Sequence, residues 1–122
     1  MTLPNAVRDS VQTLLKTIGF AVLATENAGQ PHTSLVAITP LNEGQTLVFA
    51  TYRDTRKFAN LVLNPRVSVL MDGRYRDASG DAPDGLVLSA VGRVREIDSG
   101  ALAHLLAAHL QRHPDLATFV QA

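Results

Sequence analysis

Short alternating strands joined by connections of turn length are the feature that most limits the fold of this chain. The segment FAVLAT (20–25) precedes the turn residues ENAGQ and then PHTSLVAIT (31–39), whose alternation fits a hairpin partner. A second turn, PLNEGQ, leads to the strand TLVFA (46–50). Antiparallel strands can be joined by tight turns, whereas parallel strands need a crossover of about a dozen residues or more. The spacing therefore predicts an antiparallel sheet, best satisfied by a small barrel, and not a doubly wound parallel sheet.

Two more strands are predicted farther along the chain. They are RVSVLMD (66–72) and LVLSAVGRVREI (86–97), the second with a bulge or bend at Gly92. The stretch between them, 73–85, has no apolar pattern and is rich in Gly, Asp and Ser. It predicts a long mobile loop, which we expect to lie near the mouth of a pocket.

Helices are predicted at both ends of the chain. Apolar residues keep helical spacing from Asn5 to Thr17, and Gly19 is placed to end that helix. Near the other end, SGALAHLLAAHLQR is rich in Ala and Leu, with Asp98 or Ser99 as its cap. The whole pattern predicts one domain, because 122 residues are typical of a single domain.

Composition excludes several classes of function. Eleven basic residues balance eleven acidic ones, so the net charge indicates neither a nucleic-acid partner nor a membrane-surface partner. The absence of cysteine excludes disulfides, thiolate nucleophiles and cysteine-ligated clusters. The N-terminus has no basic region followed by an apolar stretch, and no apolar run reaches membrane-spanning length. We therefore expect a soluble, cytoplasmic protein.

The stretch TYRDTRKFANLVLNP (51–65) predicts a short helix inside the sheet region. Asp54 or Thr55 can cap it, and the Asn-Pro pair ends it. Its apolar residues are spaced i, i+3, i+4, so they are predicted to face the core: Phe58, Leu61 and Val62.

Three cations lie where this helix begins, namely Arg53, Arg56 and Lys57. Because the start of a helix carries partial positive charge, each cation in its first turn costs about 0.3 to 1 kcal/mol. An anion bound at the helix start would offset that cost. The alternative is that the three cations form a solvated face with Asp54 as a nearby partner.

The order of these elements resembles the flavin-binding split-barrel superfamily that includes pyridoxamine 5′-phosphate oxidase. The likeness runs from about Val7 to Ile97, and its most specific part is the sequence strand, Thr, short loop, Arg-Lys, helix, Asn-Pro, strand. The resemblance implies a mainly β fold, a six-stranded antiparallel split barrel of Greek-key type with flanking helices, formed by residues 1–122. It also implies a homodimer with flavin mononucleotide (FMN) at the interface.

The resemblance further implies which residues hold the cofactor. Arg56 and Lys57 match the pair that binds the FMN phosphate, with Arg53 beside them. The strand from His32 to Ile38 matches the one that borders the flavin ring. The remaining implied cofactor residues are Ala50 and Thr51 at a strand end and His32, Ser34 and Val36 on the bordering strand.

Several of these residues have simpler interpretations. His32 follows Pro31 at a strand start, so it fits an exposed histidine at a turn equally well. Ser34 shares its strand face with His32 and could donate a hydrogen bond to the ring, yet a half-exposed serine needs no function. His109 and His113 have the i, i+4 spacing of metal ligands, but no third ligand joins them, so no metal site is predicted.

The function predicted from the resemblance is an FMN-dependent oxidoreductase acting on an unidentified small molecule. Catalytic residues are not assigned, because no residue is an obvious general acid or base. The alternatives are a flavin protein that carries electrons or senses redox state, a deazaflavin enzyme, and a haem-binding or haem-utilisation protein on the same barrel. The tail HLQRHPDLATFVQA is similar to the helical tail of the haem-utilisation proteins. The vitamin B6 oxidases carry a phosphate-holding C-terminal segment that nothing after Ile97 matches, so that particular activity is not predicted.

Overall fold

A computed structural model describes residues 4–74 and 86–116 of the chain. Most of the loop predicted for 73–85 therefore lies outside the described residues. Within them, the protein consists mainly of antiparallel β-structure with flanking helices. The strands are β1 (Phe20–Asn27), β2 (Gln30–Ala37), β3 (Thr39–Leu41), β4 (Thr46–Val48), β5 (Arg66–Asp72) and β6 (Val87–Arg93).

The strands form two antiparallel sheets. One has four strands in the order β2-β1-β5-β6, and the other pairs β3 with β4. The chain passes directly from one sheet to the other at Ile38, whose N–H donates to the carbonyl of Gly19 at 3.0 Å. Among the described residues, no strand pairing joins the two sheets. The antiparallel prediction is confirmed, and closure into a six-stranded barrel stays a prediction.

Within residues 4–74 and 86–116, three α-helices flank the sheets: α1 (Asn5–Thr17), α2 (Arg56–Leu63) and α3 (Ser99–Arg112). The bounds of α1 agree with the prediction, but Ile18 in extended conformation ends it and Gly19 does not adopt a positive φ. Asp98 caps α3, as one of the two predicted candidates, by accepting a hydrogen bond from the Ala101 N–H at 3.1 Å. No helix in the described part of the chain is long and apolar enough to cross a membrane.

Strand β6 differs from its prediction. It ends at Arg93 and not at Ile97, with one further backbone bond of 2.8 Å from the Val94 N–H to the Pro65 carbonyl. Its pairing with β5 runs through Gly92 without an extra residue, so the predicted bulge is absent. A Cβ atom at Gly92 would meet no atom within 4 Å, so packing does not require glycine at this position.

The core lies on one face of the four-stranded sheet, beneath α1. Its buried residues are Leu14, Leu15, Ala21, Leu23, Val36, Ile38 and Met71. Gly73 follows β5 where the backbone passes close to this core. A Cβ atom at Gly73 would lie 2.4 Å from the Leu86 carbonyl oxygen and 2.9 Å from a Leu14 methyl carbon, so only glycine fits without a shift.

The last turn of α3 is held against the corner between the two sheets by polar contacts. His109 Nδ1 lies 2.7 Å from the buried hydroxyl of Thr39. His113 Nε2 lies 2.7 Å from the Ile38 carbonyl oxygen, and since a carbonyl only accepts, this nitrogen carries a proton. Arg112 Nη2 donates to the carbonyls of Leu15, at 3.0 Å, and of Ile18. These carbonyls are among those left without partners at the end of α1, where a cation is favourable.

His109 is buried as a neutral group. Burial lowers its pKa first, and the neighbouring His113 and Arg112 lower that pKa further. Its Nε2 has no hydrogen-bond partner among the described residues. A positive charge on His109 would lie close to the Arg112 guanidinium, and a proton on its Nε2 would have no acceptor among the described residues.

We expect acidification to destabilise the protein through His109. The unfolded chain has the ordinary histidine pKa near 6.5, and the folded protein has a lower one. The unfolded state therefore binds more protons in that range, and stability present above about pH 6.5 is lost as the pH falls through the folded pKa. Chemical denaturation at pH 7.5 and pH 5.5 should show this loss in the wild type, and His109→Gln should show less of it. His104→Gln, at an exposed position of α3, is the control, and an equal loss in all three proteins would contradict the assignment.

Candidate functional site

The segment that leads into α2 is organised by threonine hydroxyls. Thr55 is the N-cap, and its Oγ1 accepts from the Phe58 N–H at 3.1 Å and donates to the Tyr52 carbonyl at 2.9 Å. Thr51 Oγ1 lies 3.1 Å from Thr55 Oγ1, and Lys57 Nζ donates to Thr51 at 3.4 Å. These contacts fix the loop after the β3–β4 sheet against the first turn of the helix. Thr55, and not Asp54, is therefore the cap.

Two cations of the first turn of α2 have no carboxylate partner in the part of the chain that the structure describes. Arg56 is exposed and Lys57 is half-buried, and neither is within 4.0 Å of a carboxylate oxygen. The N–H groups of these two residues also lack intrahelical acceptors, as at every helix start. Asp54, the partner expected for a solvated face, pairs with neither. The helix start thus offers two charges and two N–H donors to an anion.

Arg53 differs from the other two cations because it is already paired. Its Nη2 lies 2.6 Å from Glu96 Oε1, in the connection between β6 and α3. Its guanidinium also lies over the ring of Phe58, 5.4 Å from the centroid. Cation–aromatic contacts of this kind are weakly favourable at exposed sites. The position of Arg53 is therefore set by two groups, one of them negatively charged.

Helix α2 is anchored to the four-stranded sheet by two asparagines. Asn60 is buried and donates from Nδ2 to the buried Thr25 hydroxyl of β1 at 3.0 Å. At the end of the helix, Asn64 Nδ2 donates to Glu26 at 2.7 Å, while its Oδ1 accepts from the Arg66 N–H at 3.1 Å. The side chain of Asn64, the first residue of the Asn-Pro pair, thus connects the β1–β2 hairpin to the start of β5.

The buried face of α2 differs from the prediction at one position, since Phe58 and Leu61 are half-buried as expected. Val62 is exposed, although its spacing from Phe58 and Leu61 predicts burial. Asn60 is buried in its place, because its amide has a partner in Thr25. Sequence reasoning missed Asn60 and Glu96. The signal for Asn60 was an asparagine in the middle of a short helix, where it is a poor helix former and needs another reason to be present.

An open cleft of about 600 Å³ lies between the start of α2 and the β1–β2 hairpin. Three of the predicted site residues line it together: His32, Arg53 and Arg56. The other residues of the lining are Asn27, Gln30, Asp54, Thr55, Ala59 and Asn60. Lys57 and Thr51 are not part of this lining, and they are joined by the hydrogen bond already described. The cleft is thus cationic at the helix start and carries a half-buried imidazole on the strand side.

Two of the remaining predicted residues, Ser34 and Val36, lie farther along the inward face of β2, and the third, Ala50, does not lie on this strand. Ser34 pairs with Leu23 of β1, and its hydroxyl oxygen is buried with no hydrogen-bond partner among the described residues. Val36 is buried in the hydrophobic core. Ala50 is half-buried in the segment after β4. The unsatisfied Ser34 hydroxyl is a donor that a neighbouring acceptor could use.

No metal centre is formed by the described residues. No group of three histidine, aspartate or glutamate side chains lies close enough together to hold an ion. The rings of His109 and His113 are 5.0 Å apart, but one nitrogen of each is occupied by protein oxygen atoms.

The described residues thus form an antiparallel sheet with flanking helices, with a cationic helix start beside the sheet. The family model described as pyridoxamine 5′-phosphate oxidase matches residues 7–120, so the chain belongs to that family. No protein of curated function matches the sequence.

Solved structures share the fold at low sequence identity. A protein of unknown function from Agrobacterium tumefaciens superposes with a TM-score of 0.81 at 23% identity, over 100% of this chain and 51% of that one. A heme binding protein from Mycobacterium smegmatis gives 0.78 at 21% identity, over 100% and 49%. A FAD-binding protein from Mesorhizobium loti gives 0.66 at 21%, over 96% and 80%. This chain spans about half the length of the first two proteins.

We expect Asn60→Ala to cost about 1 to 3 kcal/mol of unfolding free energy, because the Thr25 hydroxyl is left buried without its partner. Thr25→Val removes the other group with little change of shape. In the double variant neither unpaired group remains, so its cost should be clearly less than the sum of the two single costs. Urea unfolding of the four proteins measures this coupling. Additive costs would mean that the bond does not anchor α2.

Proposed function

We propose that this protein binds FMN with the phosphate at the start of α2, and that it is an oxidoreductase acting on a small molecule. The observation that carries the proposal is the pair Arg56 and Lys57 in the first helical turn, with no carboxylate partner among the described residues. Membership of the pyridoxamine 5′-phosphate oxidase family and the likeness to a FAD-binding protein support a flavin.

The electrostatics of the helix start agree with a phosphate ligand. Two cations placed on the positive end of a helix repel that end, and the arrangement becomes favourable when a dianion lies between them. A guanidinium and an ammonium would each donate charge-assisted hydrogen bonds to phosphate oxygens. The two unpaired N–H groups of the first turn would complete the set. The side chains and backbone at this position therefore fit a phosphate monoester.

The other predicted residues are proposed to orient the flavin ring. Bound flavin supplies the hydride or electron transfer, and the chain binds the cofactor and controls access to it. His32 lies at the strand side of the cleft. The Ser34 hydroxyl is on the same strand face, buried and without a partner among the described residues, so it would donate to a ring atom only after the side chains that cover it move. Thr51 and Ala50 lie beside the phosphate position, where Thr51 already holds Lys57. No residue is assigned as a general acid or base.

A homodimer is proposed as well, because the outward face of the four-stranded sheet carries several exposed large apolar side chains. Antiparallel sheets with one solvated face usually alternate apolar and polar residues, yet here large apolar side chains point outward. They are Phe20, Leu35, Leu70, Val87 and Val91. A second copy of the chain would cover this face. We propose that the partner also completes the flavin site.

Haem is the second candidate ligand. It is supported by the likeness to a heme binding protein and by the half-buried imidazole of His32 in the cleft. The visible spectrum of the purified protein distinguishes the two candidates. Flavin absorption bands support the proposal, and a Soret band without flavin would replace it with haem binding. Reduction by a nicotinamide cofactor, followed by a screen of electron acceptors, then separates an enzyme from an electron carrier.

Arg56→Glu tests the phosphate position. The change removes a charged donor and adds a repelling carboxylate, so FMN affinity should fall about 10- to 150-fold. Riboflavin lacks the phosphate and should bind the wild type and the variant about equally. The apo variant should be as stable as the wild type or a few tenths of a kcal/mol more stable, because Glu suits the helix dipole. Fluorescence titration measures both affinities.

Arg8→Glu, at an exposed position of α1, is the matched control for the change of net charge. It should leave FMN affinity unchanged. Unaltered FMN affinity in Arg56→Glu would instead support the interpretation of the cations as a solvated face.

Val91→Lys and Leu35→Lys test the dimer. These side chains are 86% and 68% exposed in the single chain, so a lysine at either position is tolerated by the protomer and places a charge in the proposed interface. Sedimentation velocity should show a dimer for the wild type and dissociation for both variants. Val62→Lys is the control, since Val62 is also 68% exposed but lies on α2. A wild-type monomer at micromolar concentration that still holds one flavin per chain would contradict this proposal.

A further inference from the structure

We propose that Glu96 competes with the ligand phosphate for Arg53. Glu96 pairs with Arg53 when no anion is bound, and the phosphate displaces Glu96 from Arg53 when it binds. The inference rests on the proposed function, because it assigns a regulator to the same phosphate position. Glu96 would thereby set the affinity for phosphorylated ligands without touching the ligand itself.

The geometry places Arg53 within reach of both anions. Its guanidinium bonds to Glu96 at 2.6 Å, and at the same time it lies over Phe58, the third residue of α2. Arg53 and Arg56 both line the cleft at the helix start. The guanidinium is therefore held beside the first turn of the helix, where the phosphate is proposed to bind.

The pair is weak enough to be exchanged. The side chains of Arg53 and Glu96 are 74% and 65% exposed, and ion pairs between exposed side chains contribute little to stability. Glu96 presents one negative charge, whereas a phosphate monoester presents nearly two and three acceptor oxygens. Arg53 would therefore favour the phosphate once it is present, and the loss of the Glu96 contact would lower the observed affinity.

The position of Glu96 in the chain, outside the α2 segment, also suits it to this role. Glu96 comes from the connection between β6 and α3, so its backbone lies outside the loop that forms the phosphate position. Asp54 lines the cleft as well, but it has no ion pair with any cation of the described residues. Removal of Asp54 would change the charge of the cleft without releasing Arg53, which provides a comparison within the same site.

A double-mutant cycle on Arg53 and Glu96 tests the competition. FMN and riboflavin are titrated into the wild type, Glu96→Gln, Arg53→Gln and the double variant. Glu96→Gln should raise FMN affinity about 2- to 5-fold, the range expected from an exposed ion pair, and leave riboflavin affinity unchanged. Arg53→Gln should lower FMN affinity, and in that background Glu96→Gln should have no further effect. Asp54→Asn should change FMN affinity by the same factor in the wild-type and Arg53→Gln backgrounds.

The possible outcomes distinguish a failure of this inference from a failure of the proposed function. An equal gain from Glu96→Gln with and without Arg53 would show repulsion through space and would overturn the competition. Unchanged FMN affinity in Glu96→Gln would overturn it too, while sensitivity to Arg56→Glu would leave the phosphate site standing. If FMN does not bind the wild type, or binds Arg56→Glu equally well, the proposed function and this inference fall together. Melting temperatures of all variants should agree closely, because both side chains are exposed.

Discussion

The buried hydrogen bond between Asn60 and Thr25 is the contact on which the arrangement of the site depends. It is the polar contact that fastens the middle of α2 to the sheet, and a short helix alone is only marginally stable in water. Because both groups are buried, each needs the other, and this need fixes the rotation of the helix. With Asn60 facing β1, the first turn of α2 lies beside the β1–β2 hairpin, and Arg56 lines the cleft with His32. The cationic helix start is thus positioned by a contact one turn away from it.

The electrostatics of the cleft follow from that position. A helix start with cations is unfavourable in isolation, so the surrounding groups must either neutralise the cations or leave them for a ligand. The chain does both, since Arg53 is paired with Glu96 while Arg56 and Lys57 lack carboxylate partners among the described residues. In the described part of the chain, the site therefore contains one arginine with a carboxylate partner, Arg53, and two cations without one, Arg56 and Lys57. On the proposed function, Arg56 and Lys57 would bind the phosphate, and the exchange of Arg53 between Glu96 and the phosphate would determine the affinity.

Much of the fold could be predicted from the sequence because local patterns decide it. The bounds of α1 and β5 and the choice of antiparallel pairing all follow from periodicity and turn length. What could not be predicted depends on contacts between distant segments. The burial of Asn60 in place of Val62 requires Thr25, which is 35 residues away. The pairing of Arg53 with Glu96 likewise joins residues 43 apart, and charge patterning along the chain carries no signal for it. The cation cluster was visible because its three members are neighbours in sequence.

Packing also limits where a flavin ring could lie. Leu14, Leu23, Ile38 and Met71 are fully buried on the inward side of the sheet, so the interior is filled by the protomer's own side chains. A three-ring system cannot enter such a core without displacing several of them. It would have to lie against the open cleft, which leaves one side of the ring facing solvent in a single chain. The exposed apolar side chains of the outward face, among them Leu35 and Val91, also need a cover. A second copy of the chain would cover the outward face, and if it extends past the edge strand β2 it would also cover the ring on the opposite face. For this reason we propose the dimer and the flavin site as parts of one arrangement.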